Sequence, residues 1–254
     1  MYIGWRNHVT DREIHTLARE IDDRGYAVIN NYLSTKELSD LNSFAERKVD
    51  ENNGQYVGIR STEGLNGTVL ADVVESEQFL ELCKRLSDAG LGKEGPPFNL
   101  YQVVRFVKGM NGRRVSGAFH YDSYVLTVLL PLVIPPDGSG NLLLMKASRK
   151  IRKWYVTNLV DKFLVENKWR QKWLHWRVRK GEKKIIHLSL QPGNIYFFWG
   201  YRSIHTNEPT DPSLLRATAL FHYGDPHANS RLRAKIRARR GLDASGGVIV
   251  GDRL

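Results

Sequence analysis

Cysteine is nearly absent: the 254 residues contain one, Cys83. A lone thiol excludes an internal disulfide and any zinc site built wholly of thiolates. With no leader-like segment in the sequence, this sets the expectation of a cytoplasmic protein in a reducing compartment. Long apolar runs are missing too, and nothing approaches the roughly 20 residues needed to span a bilayer. Such a protein can still lie on a membrane surface. No internal repeat or low-complexity linker divides the chain, and its length suits one large domain spanning 1–254.

Acidic residues are scarce where it matters most. The net charge is +11, and residues 149–184 hold 13 Lys or Arg against three Asp or Glu, which accounts for nearly all of it. A second cluster, "RLRAKIRARR" at 231–240, has six basic residues and no acid. Acids elsewhere roughly cancel that second cluster. Four of the six tryptophans also fall in the first basic stretch.

Helical patterning dominates residues 1–98, read here as a helical support. Thr10 with Glu13, and Ser34 with Glu37, are capping boxes ahead of apolar residues at helical spacing. Glycine and asparagine crowd 52–67, which predicts a loop, and "ESEQFLELCKRLSDAGL" predicts a third main helix with Cys83 on its core face. From residue 99 the pattern changes to strands: "NLYQVVRFVKG", "SGAFHYD", "VLTVLLPLVI", "NLLLM", "KIIHLSL", "IYFFWG" and "LLRATALFHYG". Short strands between Gly/Pro turns predict a mainly β fold, a sandwich or barrel flanked by helices. The strand-rich core spans 99–225, is interrupted by a basic insertion at 148–184, and ends in a basic tail at 226–254.

Chemistry concentrates in "GAFHYDSY". Alternate strand residues share a face, so His120 and Asp122 project together and Tyr121 opposes them. Two histidines and one carboxylate form the set that holds iron while leaving positions open for substrate and oxygen. Eight histidines are available, and His205, following "IYFFWG", is the best third ligand. Arg216 lies 11 residues later between leucines and alanine, on a strand with no acid. A buried arginine there needs an anion, and its planar fork suits a carboxylate.

The ordered set of His120-x-Asp122, distal His205 and Arg216 resembles the Fe(II)/2-oxoglutarate-dependent dioxygenases. The opening "DDRGYAVINNYLSTKELSDL" and the approach "QPGNIYFFWGYRSIHT" resemble the phytanoyl-CoA and prolyl hydroxylase branches. The resemblance covers roughly residues 20–225. It implies a double-stranded β-helix, or jelly roll, with Fe(II) on His120, Asp122 and His205. It also implies that Arg216 anchors the distal carboxylate of 2-oxoglutarate and that O2 is the co-reactant. Succinate and CO2 would leave as an organic substrate is hydroxylated; Asp122 distinguishes the pattern from halogenases, which lack that carboxylate. Tyr101, Arg105 and Thr127 sit where relatives place further contacts to cosubstrate or substrate, although a lone buried Thr commonly bonds its own backbone. His222 reads as a core or supporting histidine, and His175 and His187 as bystanders.

The insertion lies outside the resemblance. Trp169, Trp173 and Trp176 share one helical face. One expectation is a lid whose tryptophans pack on the jelly roll while the charges are solvated. The alternatives are a helix on an anionic membrane surface, a clamp in which Trp169 and Trp173 hold an anionic or lipid-linked small-molecule substrate, and a nucleic-acid groove. DNA-repair dioxygenases carry a second arginine where this chain has His222, which argues against nucleic acid. A jelly-roll binding protein without catalysis, or a nucleic-acid-binding module, are the rival readings of the whole.

Overall fold

A computed structural model describes residues 8–97, 99–114, 116–239 and 248–250. The N-terminal part runs α1 (Asp11–Arg24), β1 (Ala27–Ile29), α2 (Thr35–Glu51), β2 (Val57–Ile59), α3 (Val69–Glu75) and α4 (Glu77–Leu91). It continues through β3 (Tyr101–Val107), the short α5 (Gly109–Arg114), β4 (Leu126–Val133) and β5 (Leu142–Met145). The insertion is a helical hairpin, α6 (Tyr155–Glu166) and α7 (Lys168–Arg179). Then come β6 (Ile186–Leu188), β7 (Ile195–Phe198), β8 (Ile204–Asn207), β9 (Arg216–Tyr223), α8 (Arg231–Arg239) and β10 (Val248–Val250). Of the basic tail, residues 240–247 and 251–254 lie outside the described residues.

Both expected capping boxes form, Thr10 with Glu13 and Ser34 with Glu37. Each satisfies orphan N–H groups at a helix start, an effect of about 1 kcal/mol. Gly25 ends α1 in the left-handed conformation with φ 96°, which a glycine adopts without a Cβ clash.

Two antiparallel sheets face each other. The larger has the order β1-β7-β4-β9-β3-β2-β10 and the smaller β6-β5-β8. Strand parity divides the larger sheet's two faces. Leu126, Val128, Leu130 and Leu132 of β4, with Ala217, Ala219 and Phe221 of β9, pack in one core with the apolar faces of α1, α2 and α4. Cys83 is buried in that core, and burial pushes its thiol pKa up. The opposite parity brings Leu129, Tyr196 and Phe198 against Leu142, Leu144 and Leu188 of the small sheet. That second, inner core surrounds the candidate site.

Several expectations change. The chain is mixed rather than mainly β, because the bracing helices and the hairpin exceed the short strands in length. Residues 52–67 are not all loop: Val57–Ile59 pairs with β3, with Gly58 opposite Arg105. Three residues are too few for alternation to show; the neighbouring strand's hydrogen bonds define this one. "SGAFHYD" forms only a single bridge at His120 instead of a strand. "YAVINNYL" narrows to Ala27–Ile29.

Candidate metal centre and its pocket

His205 lies on β8, and the pairing of β8 with β5 places Leu144 opposite it. On the other side, His120 and His205 each donate a backbone N–H to the other's carbonyl at 3.0 Å. This bridge brings the two rings to a centroid distance of 4.5 Å. The Asp122 N–H donates to Gly200 O at 3.0 Å, fixing the carboxylate two residues along. His120, Asp122 and His205 thereby offer one ligand atom each, all within 4.8 Å of one another, and can hold a metal ion.

The hydrogen bonds also select the ligating nitrogen. His120 Nδ1 lies 2.9 Å from Ala118 O, and His205 Nδ1 lies 3.0 Å from Ser203 O. A carbonyl can only accept, so each Nδ1 carries a proton and Nε2 is the nitrogen left to bind a metal. Burial works against the charged form of His205, but the Asp122 carboxylate outweighs it and raises that pKa. Both Nε2 atoms face the Asp122 carboxylate, at 3.6 Å and 3.3 Å. Burial, then the neighbouring His205, pushes the His120 pKa down to about 4, leaving a neutral imidazole at neutral pH. Burial alone would raise Asp122, but His205, His222 and His120 outweigh it and hold the carboxyl well below its usual range.

Behind the ligands, the Thr127 hydroxyl donates to Asp122 Oδ2 at 2.5 Å and lies 3.2 Å from His222 Nδ1. Thr127 therefore fixes the carboxylate rather than bonding its own backbone. His222, whose pKa burial pushes down to about 4, supports that contact as a neutral ring. It stacks on Tyr124, which stacks on Tyr101. Gly200 makes this arrangement possible. A Cβ there would stand 2.1 Å from Thr127 Oγ1 and 2.4 Å from Asp122 Oδ2.

A small pocket of about 50 Å³ opens on the ligands and on Thr127 and His222. Arg105, Leu129, Leu142, Phe198, Asn207 and Leu220 complete its wall. Arg216 shares an inner strand face with Leu220 and His222 and is only 3% exposed. Burial, then Arg105, lowers its pKa to about 10, so it keeps its charge at neutral pH. Arg216 Nε and Nη2, Arg105 Nε and Asn207 Nδ2 are buried without a hydrogen-bond partner. All four are donors, and an acceptor-rich anion is the complement they lack. Gly140 packs on the Arg216 stem, where a Cβ would be 2.6 Å from Cδ.

The insertion is fastened to the ligand segment. Gln171 of α7 accepts from Phe119 N–H at 2.9 Å and donates to Phe119 O at 2.8 Å. Lys162 of α6 donates to Ser123 Oγ at 2.8 Å. Arg149 lies over the rings of Tyr121 and Tyr201, at 3.9 Å and 4.1 Å, with its guanidinium bonded to Tyr201 O, Asp161 and Asn158. Residues on both sides of His120 are thus held by the hairpin.

The predicted residues sort accordingly. His120, Asp122, His205 and Thr127 meet, with Arg105 in the same pocket wall. Tyr101 touches the site through the ring stack. Trp169 and Trp173 do not line the pocket, and the expected packing of the tryptophans on the jelly roll is overturned: α7 buries Leu174 and Arg177, leaving Trp169, Trp173 and Trp176 exposed. Asn207, Gly140, Gly200, Lys162 and Gln171 were not anticipated. A glycine closing the "IYFFWG" strand was the only signal for any of them. His187 sits on the surface 3.7 Å from Glu208, and His175 packs edge-on to Phe119.

No protein-family model matches the chain, and no curated protein matches its sequence. Solved structures do. The non-heme alpha-ketoglutarate-dependent epimerase SnoN of nogalamycin biosynthesis is 15% identical, with TM-score 0.55 and 84% of each chain covered. The carbocyclase SnoK of the same biosynthesis is 15% identical with TM-score 0.55, covering 99% of this chain and 97% of that one. A Trichoplax adhaerens prolyl hydroxylase, solved with a hypoxia-inducible-factor peptide, is 15% identical with TM-score 0.55, covering 86% and 93%. These structures include a prolyl hydroxylase but do not single out the phytanoyl-CoA branch. The chain has the fold of the iron- and 2-oxoglutarate-dependent oxygenases, and it carries within that fold a His-Asp-His group able to bind metal.

Proposed function

We propose that this protein is an Fe(II)- and 2-oxoglutarate-dependent oxygenase that hydroxylates an organic, anionic or lipid-linked substrate and releases succinate and CO2. The observation that carries the reading is the pairing of a His-Asp-His group able to bind metal with buried, unpartnered donors between the two sheets. The triad fits a divalent metal by its donor set. The orphaned Arg216, Arg105 and Asn207 donors fit a dicarboxylic 2-oxo acid.

In this reading His120, Asp122 and His205 hold Fe(II), and Arg216 holds the distal carboxylate of 2-oxoglutarate. Together with O2, those groups supply an oxidant strong enough to remove hydrogen from an unactivated carbon. The chain's own part is positioning. Ala118 O and Ser203 O orient the two imidazoles, while Thr127, backed by His222, fixes the Asp122 carboxylate. Leu129, Leu142, Phe198 and Leu220 keep the pocket wall apolar, which excludes water from the reacting atoms. Lys162, half-buried beside Ser123, has its pKa lowered by burial, and the Asp122 carboxylate partly offsets that.

The test is succinate formation from 2-oxoglutarate by the purified protein with added Fe(II) under air, read by mass spectrometry. Succinate above the metal-free control supports the assignment. Its absence in a folded protein that binds Fe(II) and 2-oxoglutarate would instead support a non-catalytic binding role. Product analysis then separates hydroxylation from other oxidations, because the fold also serves an epimerase and a carbocyclase.

A further inference from the structure

The hairpin α6–α7 presents its apolar side outward. On α6, Val156, Val160, Phe163 and Leu164 are exposed, Phe163 at 71%. Their spacing of four, three and one places them on one helical stripe. The opposite stripe of α6, with Asn158 and Val165 buried and Lys162 bonded to Ser123, faces the body of the protein. On α7, Trp169 at 81% exposure continues the outer apolar surface with Trp173 and Trp176, and Trp154 at 65% stands just ahead of α6. Apolar side chains this exposed and contiguous mark a binding surface.

The same surface is cationic. Lys168, Arg170, Lys172, Arg179 and Lys180 are exposed, and none forms an ion pair among the described residues. Arg170 and Lys172 instead lie over Trp173 and Trp169, at 4.1 Å and 5.7 Å. Tryptophan beside Lys and Arg above an aliphatic face is the composition that suits a lipid interface: rings at headgroup depth, charges at phosphates, aliphatics toward the acyl chains.

We propose that the outer face of α6–α7 docks on an anionic lipid bilayer. Charge complementarity selects that occupant. A second copy meeting this face would set one stretch of net +10 against another. Nucleic acid would satisfy the charges and stack on the tryptophans, yet it offers nothing to Val156, Val160 and Leu164. The metal centre is nearby as a consequence of the fold. The hairpin's inner residues Gln171 and Lys162 bond to Phe119 and Ser123, which flank His120 and Asp122. The ligands therefore lie about one helix diameter, roughly 10 Å, behind the docking face. The inference stands on the hairpin alone and holds whichever reaction the site performs.

The experiment is co-sedimentation of the full-length protein with vesicles of phosphatidylcholine mixed with phosphatidylglycerol, against pure phosphatidylcholine. Quenching of tryptophan emission by brominated acyl chains is read in parallel. Binding should require the anionic lipid and fall at high salt, because such charges are screened within about 10 Å at 0.1 M. Each basic residue near an anionic surface strengthens binding roughly fivefold. Lys168→Gln, Arg170→Gln and Lys172→Gln together should therefore weaken it on the order of a hundredfold. A second variant, Trp154→Ser with Phe163→Ser and Trp169→Ser, should weaken vesicle binding and sharply reduce the bromolipid quenching. All six positions are exposed, so unchanged melting curves verify the fold. Equal binding to both vesicle types, or to neither, overturns the proposal. So does a dimer dispersed by the serine variant, or retention on single-stranded nucleic acid without vesicle binding.

Discussion

Arg216→Leu should move stability and ligand binding in opposite directions. The guanidinium is buried with Nε and Nη2 unpartnered, and its pKa is lowered to about 10 from the ordinary guanidinium value by burial and by Arg105. At 1.36 kcal/mol per unit, holding that charge costs the folded state about 3 kcal/mol relative to the unfolded chain. The sign is that of a cation with a depressed folded-state pKa. The cost is fully present below about pH 10 and eases only above it, so ordinary buffers never relieve it. Leucine removes the charge and keeps an apolar side chain, so the ligand-free variant should be as stable as the parent or stabler by about 1–3 kcal/mol. The parent should recover that cost when an anion binds. At a hundred times its dissociation constant, 2-oxoglutarate would add about 2.7 kcal/mol, or roughly 5–10 °C in melting temperature for a domain this size. Losing a charge-assisted bidentate contact of about 1.5–3 kcal/mol should cut cosubstrate affinity by roughly tenfold to a few hundredfold and remove most of that shift. The assay is thermal unfolding with and without 2-oxoglutarate, using Mn(II) as an inert metal, alongside calorimetric titration of the metal alone. Metal affinity should be nearly unchanged. A variant destabilised by several kcal/mol that keeps the full 2-oxoglutarate shift would show the arginine to be structural and refute the reasoning.

Four further substitutions probe the metal centre. His120→Ala or Asp122→Ala should abolish metal-dependent 2-oxoglutarate turnover and calorimetric Fe(II) binding while unfolding stays cooperative; full turnover in either would dissolve the triad. Thr127→Val keeps the shape but frees the Asp122 carboxylate, so metal affinity should fall by roughly 10- to 100-fold with little change in far-UV circular dichroism; unchanged affinity would show that the 2.5 Å bond is dispensable. Gly200→Ala forces a methyl to within 2.1 Å of Thr127 Oγ1, so it should cost about 1–3 kcal/mol in denaturant unfolding and weaken metal binding as well, and a silent substitution would mean the ligand segment yields easily.

Much of the N-terminal support was legible because its signals are local. Capping boxes at Thr10 and Ser34 and helical periodicity act within a turn or two, and the helices begin where those residues stand. The triad was legible for a related reason. The His-x-Asp spacing keeps His120 and Asp122 together although the segment is not a strand, and a distal histidine followed by a buried arginine is an ordered pattern of chemistry rather than of shape. What sequence could not decide were relations between distant segments. Nothing local makes "VGI" at 57–59 a strand; β3 supplies the partner that does. Nothing near Gly200 in sequence says that Asp122 and Thr127 will press against it from about 75 residues upstream. The insertion shows the division best. Its period made Trp169, Trp173 and Trp176 one face, but a period cannot say which way that face turns. Gln171, Lys162 and Arg149 take the contacts with the ligand segment, and with the inner side held by hydrogen bonds and a buried guanidinium, the tryptophans face outward.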